Sequence, residues 1–312
     1  MSRKKSKIII ISIVAILALI FLAGGYAVYS KLSKIKTTKI ELPDEEIGIQ
    51  KQENEEVKNK KDVTSILLLG LDREEHATDV NMVLTLDDDN KEIRLLSILR
   101  DSYIYYGEDK TNKLNYAINY GGVTNSIKTV NENYGTEIRD YILIDFDGVM
   151  NLVDAMGGVN VNLTSEEIPY ISPNKNLKSG NNVLSGKQAL SYSRIRRIGT
   201  DFQRTQRQRN VINAMYSKVK SLSLGEMNKL LDVALNNVET SLSYGEILSL
   251  GQKIISYGGK EIKQGRVPID GTWHDDYKEL YYLMWDKEPN LKYIRDFIYC
   301  LLYTSPSPRD TE

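Results

Sequence analysis

Sixteen residues, Arg194 to Arg209, carry six arginines (194, 196, 197, 204, 207 and 209) and a single acid, Asp201. A guanidinium stays charged at any ordinary pH, so whatever this chain folds into must house six fixed positive charges. The apolar residues beyond them say where. On a helix beginning at Asp201, Val211, Met215, Val219 and Leu222 share one face, and that stripe extends back to Arg204 and Gln208, with Arg207 at its edge and Arg209 outward. Arg204 is therefore expected to point inward, where it needs an anion, and Asp201, read as the helix N-cap, cannot serve every arginine. Two arrangements remain open. One is an internal salt-bridge network or solvated basic face, which suits Arg197 and Arg209. The other is a phosphate or pyrophosphate clamp, in which Arg194 and Arg196 join the inward residues and the N–H groups of the helix N-terminus.

The anion site has to be local. The chain holds 41 basic and 42 acidic residues for a net charge of −1, which argues against a general nucleic-acid binder. Two histidines and one cysteine leave little for a Ser/His/Asp triad or a zinc site. The chemistry is expected to rest on carboxylates, arginines and a hard metal ion.

Along the chain, residues 1–7 form a basic tail and 8–29 an uncharged run of twenty-two residues. At about 1.5 Å per residue that run spans a ~30 Å hydrocarbon layer as a signal anchor; the rival is a cleaved signal peptide, whose apolar part is shorter. Lysines flank both sides, so the positive-inside rule favours a cytoplasmic N-terminus only mildly. Residues 30–61 are mixed in charge and poor in aromatics, and read as a flexible stalk outside the membrane. The folded domain is expected over 62–302, and 303–312 reads as a foreign or disordered tail.

Within the domain, apolar runs at 64–72, 80–87, 92–99, 141–146 and 159–163 read as strands, alternating with helical stretches at 112–135, 147–158, 186–194 and 201–224. Two more amphipathic helices follow, then a strand at KQGRVP and one or two helices over 277–302. That alternation predicts an α/β or α+β sandwich, a central mixed β-sheet flanked by helices. Asp72 and Asp79 end one strand and begin the next, so a turn brings their carboxylates to one edge; they either hold a hard cation such as Mg²⁺ or cap the turn. Arg100 and Asp101 follow the third strand, where open α/β sheets hold ligands, and Lys113 lies just beyond.

These pieces in order, ILLLGLDR (66–73), TDVNMVLTL (78–86), SILRD (97–101), KLNYAINYGG (113–122), DFDGVMNLVDAMGGVNV (145–161), LSGKQALSYSRIRR and DFQRTQRQ (184–208), resemble the LytR-CpsA-Psr family of Gram-positive envelope enzymes. The resemblance implies transfer of a teichoic acid or capsular polysaccharide from a polyprenyl pyrophosphate carrier to peptidoglycan through a phosphodiester, by a membrane-anchored domain outside the cell. It implies an apolar tunnel for the prenyl chain and Asp72 and Asp79 as ligands of Mg²⁺ or Mn²⁺. Arg73, Arg100, Arg194, Arg196 and Arg204 resemble the family's pyrophosphate-binding arginines, with Asp201, Arg207 and Gln208 beside them. Arg100, Asp101 and Arg196 are the expected catalytic residues, and Lys113 a supporting one. A polyprenyl pyrophosphate phosphatase and a membrane-bound transcriptional regulator are the alternatives.

Overall fold

The computed structural model describes residues 36–50, 62–107, 110–277 and 280–299. The expected tail, membrane span, residues 30–35 and 51–61 of the stalk, Cys300 and the C-terminal tail lie outside the described residues. Among those described, no helix is long and apolar enough to cross a membrane.

In chain order the strands are β1 (Lys36–Thr37), β2 (Val63–Asp72), β3 (Ala77–Asp87), β4 (Glu92–Ile98), β5 (Tyr103–Tyr105), β6 (Thr111–Lys113), β7 (Asp140–Asp145), β8 (Val159–Leu163), β9 (Gly180–Leu184), β10 (Val238–Thr240), β11 (Lys263–Val267), β12 (Trp273–Tyr277) and β13 (Tyr281–Trp285). The helices are α1 (Gly122–Tyr134), α2 (Phe146–Ala155), α3 (Gly186–Ser193), α4 (Asp201–Val219), α5 (Leu224–Asn237), α6 (Tyr244–Ser256) and α7 (Lys287–Tyr299). Seven strands form one mixed sheet in the order β1-β10-β7-β2-β3-β4-β11, and β5–β6, β8–β9 and β12–β13 are separate hairpins. This is the expected sandwich: a central mixed sheet with helices on both faces.

Side chains alternate across a strand, so the sheet has two faces, and they are covered differently. On one, Leu67, Leu69, Val83 and Leu96 are fully buried against Ile127 and Val130 of α1 and Ile294 and Phe297 of α7. Each such side chain contributes about 1.5–3 kcal/mol on burial. On the other, cross-strand pairing aligns Leu68, Val80, Leu84, Ile142 and Ile144. These five are only half-buried, although they lie on the central strands. Leu68, Val80 and Leu84 pack on a buried cluster that includes Met82, Leu95 and Tyr257, which Ile212 and Tyr216 of α4 and Leu250 and Ile254 of α6 also cover. A third cluster joins α2, α3, the β8–β9 hairpin and the Val211 side of α4. So α4 is packed on two sides.

Two expectations need correction. The run 277–302 is not wholly helical: Tyr281–Trp285 pairs antiparallel with Trp273–Tyr277, and among the described residues of the run the helix is Lys287–Tyr299. Three of those five hairpin residues are aromatic, a β-favouring composition, and Pro289 in the first turn marks the true helix start. The stalk is also shorter than read. Ile47 is 1 % exposed in the main core, its carbonyl accepts from Asn131 Nδ2 at 2.8 Å, and Lys36–Thr37 pairs in parallel with β10. Residues 36–50 therefore belong to the domain, because three isoleucines (40, 47 and 49) pack on the core despite the charged composition around them.

At the far end of β3 and β4, Arg94 is buried and donates to Asp87 (2.6 Å), Glu92 (2.9 Å) and the Ile298 carbonyl (2.7 Å). Burial pushes Asp87 up, but the hydrogen bonds from Asn90 and Arg94 outweigh it and hold its pKa below the ordinary 3.8. Burial likewise opposes Lys263 and Arg94 at Glu92, and loses, so its pKa sits below 4.5. Carboxylates with lowered pKa values stabilise the fold above their unfolded values and lose that contribution as pH falls through the folded ones. Stability is expected to be level near neutrality and to decline below about pH 4. Denaturant midpoints measured across that range check this, and Asp87→Asn is expected to flatten the decline.

Candidate active site

Strands β2, β4, β7 and β11 run in one direction, with β3 antiparallel between β2 and β4. Their C-terminal ends, and the start of β3, therefore meet at one sheet edge. Asp72, Asp79, Arg100, Asp101 and Asp145 all stand there. A β-bulge sharpens the placement. Leu71 pairs with Thr78 but Gly70 with Val80, which leaves Asp79 as the extra residue on β3. Bulges re-aim side chains, and Thr78 and Asn81 brace this one, Thr78 Oγ1 donating to Asn81 Oδ1 (2.8 Å) and Asn81 Nδ2 to the Thr78 carbonyl (2.9 Å).

The α3–α4 connection delivers the arginines. Ser185 and Gln188 form a capping box on α3. Gly186 lets α3 pack directly on α2: a Cβ there would come within 2.2 Å of the Met150 carbonyl oxygen. Arg194 closes α3 and stacks 4.3 Å over the Phe146 ring. Its Nη2 lies 3.1 Å from Asp72 Oδ2, while Asp72 Oδ1 accepts the Glu74 and Glu75 N–H groups at 3.0 and 3.2 Å. Asp72 thus caps the turn with one oxygen and offers the other to the site. Arg196 Nη2 is 3.5 Å from Asp79 Oδ2, and Arg100 Nη1 bonds Asp79 Oδ1. Asp101 bridges Arg100 Nε (3.4 Å) and Lys113 Nζ (3.0 Å). Arg204 Nη2 pairs with Asp201 at 2.6 Å.

Five cations (Arg100, Lys113, Arg194, Arg196, Arg204) thus meet four carboxylates (Asp72, Asp79, Asp101, Asp201). Burial opposes charge on Arg100, but Asp79 and Asp101 outweigh it and raise its pKa. Burial lowers that of Arg204 and raises that of Asp201, more than their mutual attraction offsets. At the centre, Arg204 Nε is buried without a hydrogen-bond partner, and Arg100 Nε has only the 3.4 Å ion-pair contact with Asp101. Unused buried guanidinium donors are the complement of an oxyanion.

Other expected residues stand elsewhere or act differently. Arg73 turns outward, 76 % exposed, to pair with Asp145, which also caps α2 through the Gly148 N–H at 2.8 Å. Arg207 donates to the Ile195 and Ile198 carbonyls (2.9 and 3.1 Å), so it holds the loop bearing Arg196 instead of facing the site. Gln208 Nε2 reaches the Asp79 carbonyl at 3.5 Å. Thr200, not Asp201, is the N-cap of α4, its N–H donating to Gln203 Oε1 at 2.8 Å. Arg209, expected outward, is buried and donates to Ser97 Oγ at 2.8 Å. Ile212 and Tyr216, one and two turns on, were the signal for that second buried face.

A mixed sheet whose edge collects arginines around buried aspartates defines an α+β enzyme-like protein with a centre built for phosphate-type anions. The sequence profile of the LytR_cpsA_psr family matches residues 25–294, and the chain belongs to that family. It is 31% identical over 283 residues to a polyisoprenyl-teichoic acid–peptidoglycan teichoic acid transferase, TagU, of Bacillus mycoides strain KBAB4, covering 86% of this chain and 92% of the relative. The crystal structure of B. subtilis TagT is similar with a TM-score of 0.66 and 25% identity, covering 85% of this chain and 98% of that one. A LytR-CPS2A-psr family protein, YwtF (TagT), with bound octaprenyl pyrophosphate lipid, is similar with a TM-score of 0.60 and 25% identity over 80% of this chain and 92% of that one.

Proposed function

We propose that this chain transfers an anionic glycopolymer, of teichoic acid or capsular polysaccharide type, from a polyprenyl pyrophosphate carrier to peptidoglycan. The observation that carries the reading is the arginine–aspartate centre with its unpartnered guanidinium N–H groups. The names of the relatives agree with it. The domain acts outside the cell membrane, anchored by residues 8–29.

Arg194 and Arg196 are 39 % and 46 % exposed and pair with Asp72 and Asp79. An arriving pyrophosphate offers both a stronger, bidentate partner, and Arg100 and Arg204 wait behind them. The acceptor hydroxyl attacks the sugar-proximal phosphorus, the bond from that phosphorus to the bridging oxygen breaks, and polyprenyl phosphate leaves. Arg100 and Arg196 stabilise charge moving onto the leaving oxygen. Asp101, beside Arg100, accepts the hydroxyl proton. The strip Leu68, Val80, Leu84, Ile142, Ile144 supplies an apolar bed for the prenyl chain. A groove of about 570 Å³ lined by Lys187, Arg194, Arg196 and Arg197 suits the polymer phosphates.

Asp72 and Asp79 fit Mg²⁺ or Mn²⁺. They form an all-oxygen pair, and no cluster of three His, Cys, Asp or Glu occurs among the described residues, so the remaining ligands would be water and substrate phosphate, as Mg²⁺ prefers. Bound there, the cation would neutralise phosphate charge.

A phosphatase would use the same centre, and product analysis separates the two. The full chain with Mg²⁺, lipid-linked donor and peptidoglycan is expected to yield phosphodiester-linked polymer; free glycan phosphate alone would mean hydrolysis. Added Mg²⁺ is expected to raise the thermal midpoint, and Asp79→Asn to abolish the rise. The regulator reading has less support, because Arg204, Arg207 and Arg209 are buried and leave α4 without an arginine face for DNA.

A further inference from the structure

On the other flank of the centre lies a cavity of about 190 Å³ whose lining includes Asp101, Asp201, Phe202, Trp273, Asp275 and Tyr281. The transfer mechanism leaves it unused. Two of its lining residues, Asp101 and Asp201, belong to the reaction centre, where they pair with Arg100 and Arg204. Its walls are aromatic and held. Phe202 and Trp273 lie 4.6 Å apart between centroids at 41°, and the Arg266 guanidinium stacks 4.2 Å over Phe202. The Tyr281 hydroxyl donates to Asp275 Oδ1 at 3.0 Å, and Lys113, already bonded to Asp101, sits 5.4 Å from the Tyr281 ring centre.

The charge of this lining is the opposite of the polymer groove. Three carboxylates face it and no described lysine or arginine lines it, which repels a pyrophosphate or a polymer phosphate. A neutral polyhydroxyl ring meets both parts of the lining. Its C–H face packs on electron-rich aromatic faces, and its hydroxyls donate to carboxylates that only accept. Trp273 and Asp101 line the same small cavity, so a ring stacked on the first would have the carboxylate beside the arginines within its reach. The two flanks sort the two substrates by charge: anionic donor on the basic side, uncharged sugar on the acidic aromatic side.

We infer that this cavity is an acceptor subsite that seats one sugar ring of the peptidoglycan glycan strand and presents its hydroxyl to the centre, an inference that rests on the transferase reading above. Trp273 is the positioning residue. The full chain and its Trp273→Leu and Trp273→Phe variants are titrated calorimetrically with a GlcNAc–MurNAc disaccharide whose lactyl carboxyl is amidated, so that the probe is uncharged, and KM for donor and for acceptor is measured in the transfer assay. Trp273→Leu is expected to weaken disaccharide binding and raise acceptor KM at least tenfold, with donor KM within twofold of the parent; Trp273→Phe keeps most of both. Unaltered disaccharide binding by Trp273→Leu overturns the proposal, and so does a raised donor KM with acceptor KM unchanged, which makes the cavity a donor-sugar site. Should the leucine variant not fold, Asp275→Asn at an exposed position is expected to weaken the disaccharide about threefold, and no effect there overturns the proposal equally. Disaccharide binding without any transfer by the parent chain would remove the transferase reading and leave the subsite standing.

Discussion

Arg196→Ala is expected to slow glycopolymer transfer by about 10²–10³-fold, the usual loss when one donor aimed at developing charge is removed. Its thermal midpoint is expected to stay close to that of the parent. Arg196 is half exposed, its contact with Asp79 is long at 3.5 Å, and Asp79 keeps Arg100 as a partner. Exposed pairs of that kind contribute about 0–1 kcal/mol. Rate assays beside thermal unfolding check both halves. Full transfer activity in the variant would remove Arg196 from the mechanism.

Arg94→Ala is the mirror case, with a large loss of stability and little direct effect on chemistry. Arg94 is 2 % exposed and Asp87 is fully buried. Truncating the guanidinium leaves that carboxylate uncompensated and frees the Ile298 carbonyl, at a cost of about 3–5 kcal/mol. For a domain of this size the midpoint is expected to drop on the order of 10 °C. Calorimetry measures it, and replacing Arg94 and Asp87 together by Met and Leu is expected to recover much of the loss, since an apolar pair leaves no orphaned charge. A midpoint unchanged in Arg94→Ala would mean the network contributes nothing. Exposure thus divides the arginines. Arg194 and Arg196, half-exposed, are free to exchange an aspartate for a ligand; Arg94, Arg207 and Arg209, sealed, bind strands, helices and loops together, and Arg100 and Arg204 form the buried back of the centre.

How far the sequence reaches follows the same division. Arg204 is legible as inward because Val211, Met215 and Val219 continue its stripe on a single helix. Arg209 is not legible from that stripe, because α4 packs on two layers and its second buried face depends on where β4 ends up. Asp72 and Asp79 are legible as neighbours from a short turn. The bulge that re-aims Asp79 is a register property of two paired strands. Arg73 and Arg207 match the family pattern, yet their contacts, Asp145 for one and two loop carbonyls for the other, are tertiary. The hairpin Trp273–Trp285 escapes a one-dimensional reading for a related reason: its strands are defined by each other. Ile40, Ile47 and Ile49 were hidden by averaging, since three apolar residues in a charged run count for little in composition and for much in a core.

Those isoleucines set the length of the leash. The domain includes Lys36, so no more than residues 30–35 separate it from the apolar run ending at Tyr29, and even fully extended they span at most about 20 Å. Where that run is anchored in a bilayer, the β1 edge of the sheet is held within about that reach of the headgroups. On the proposed transferase reading, the lipid-borne donor is delivered at the surface to which the domain is tethered, so the reach of the wall strand toward that surface is the distance left to control transfer.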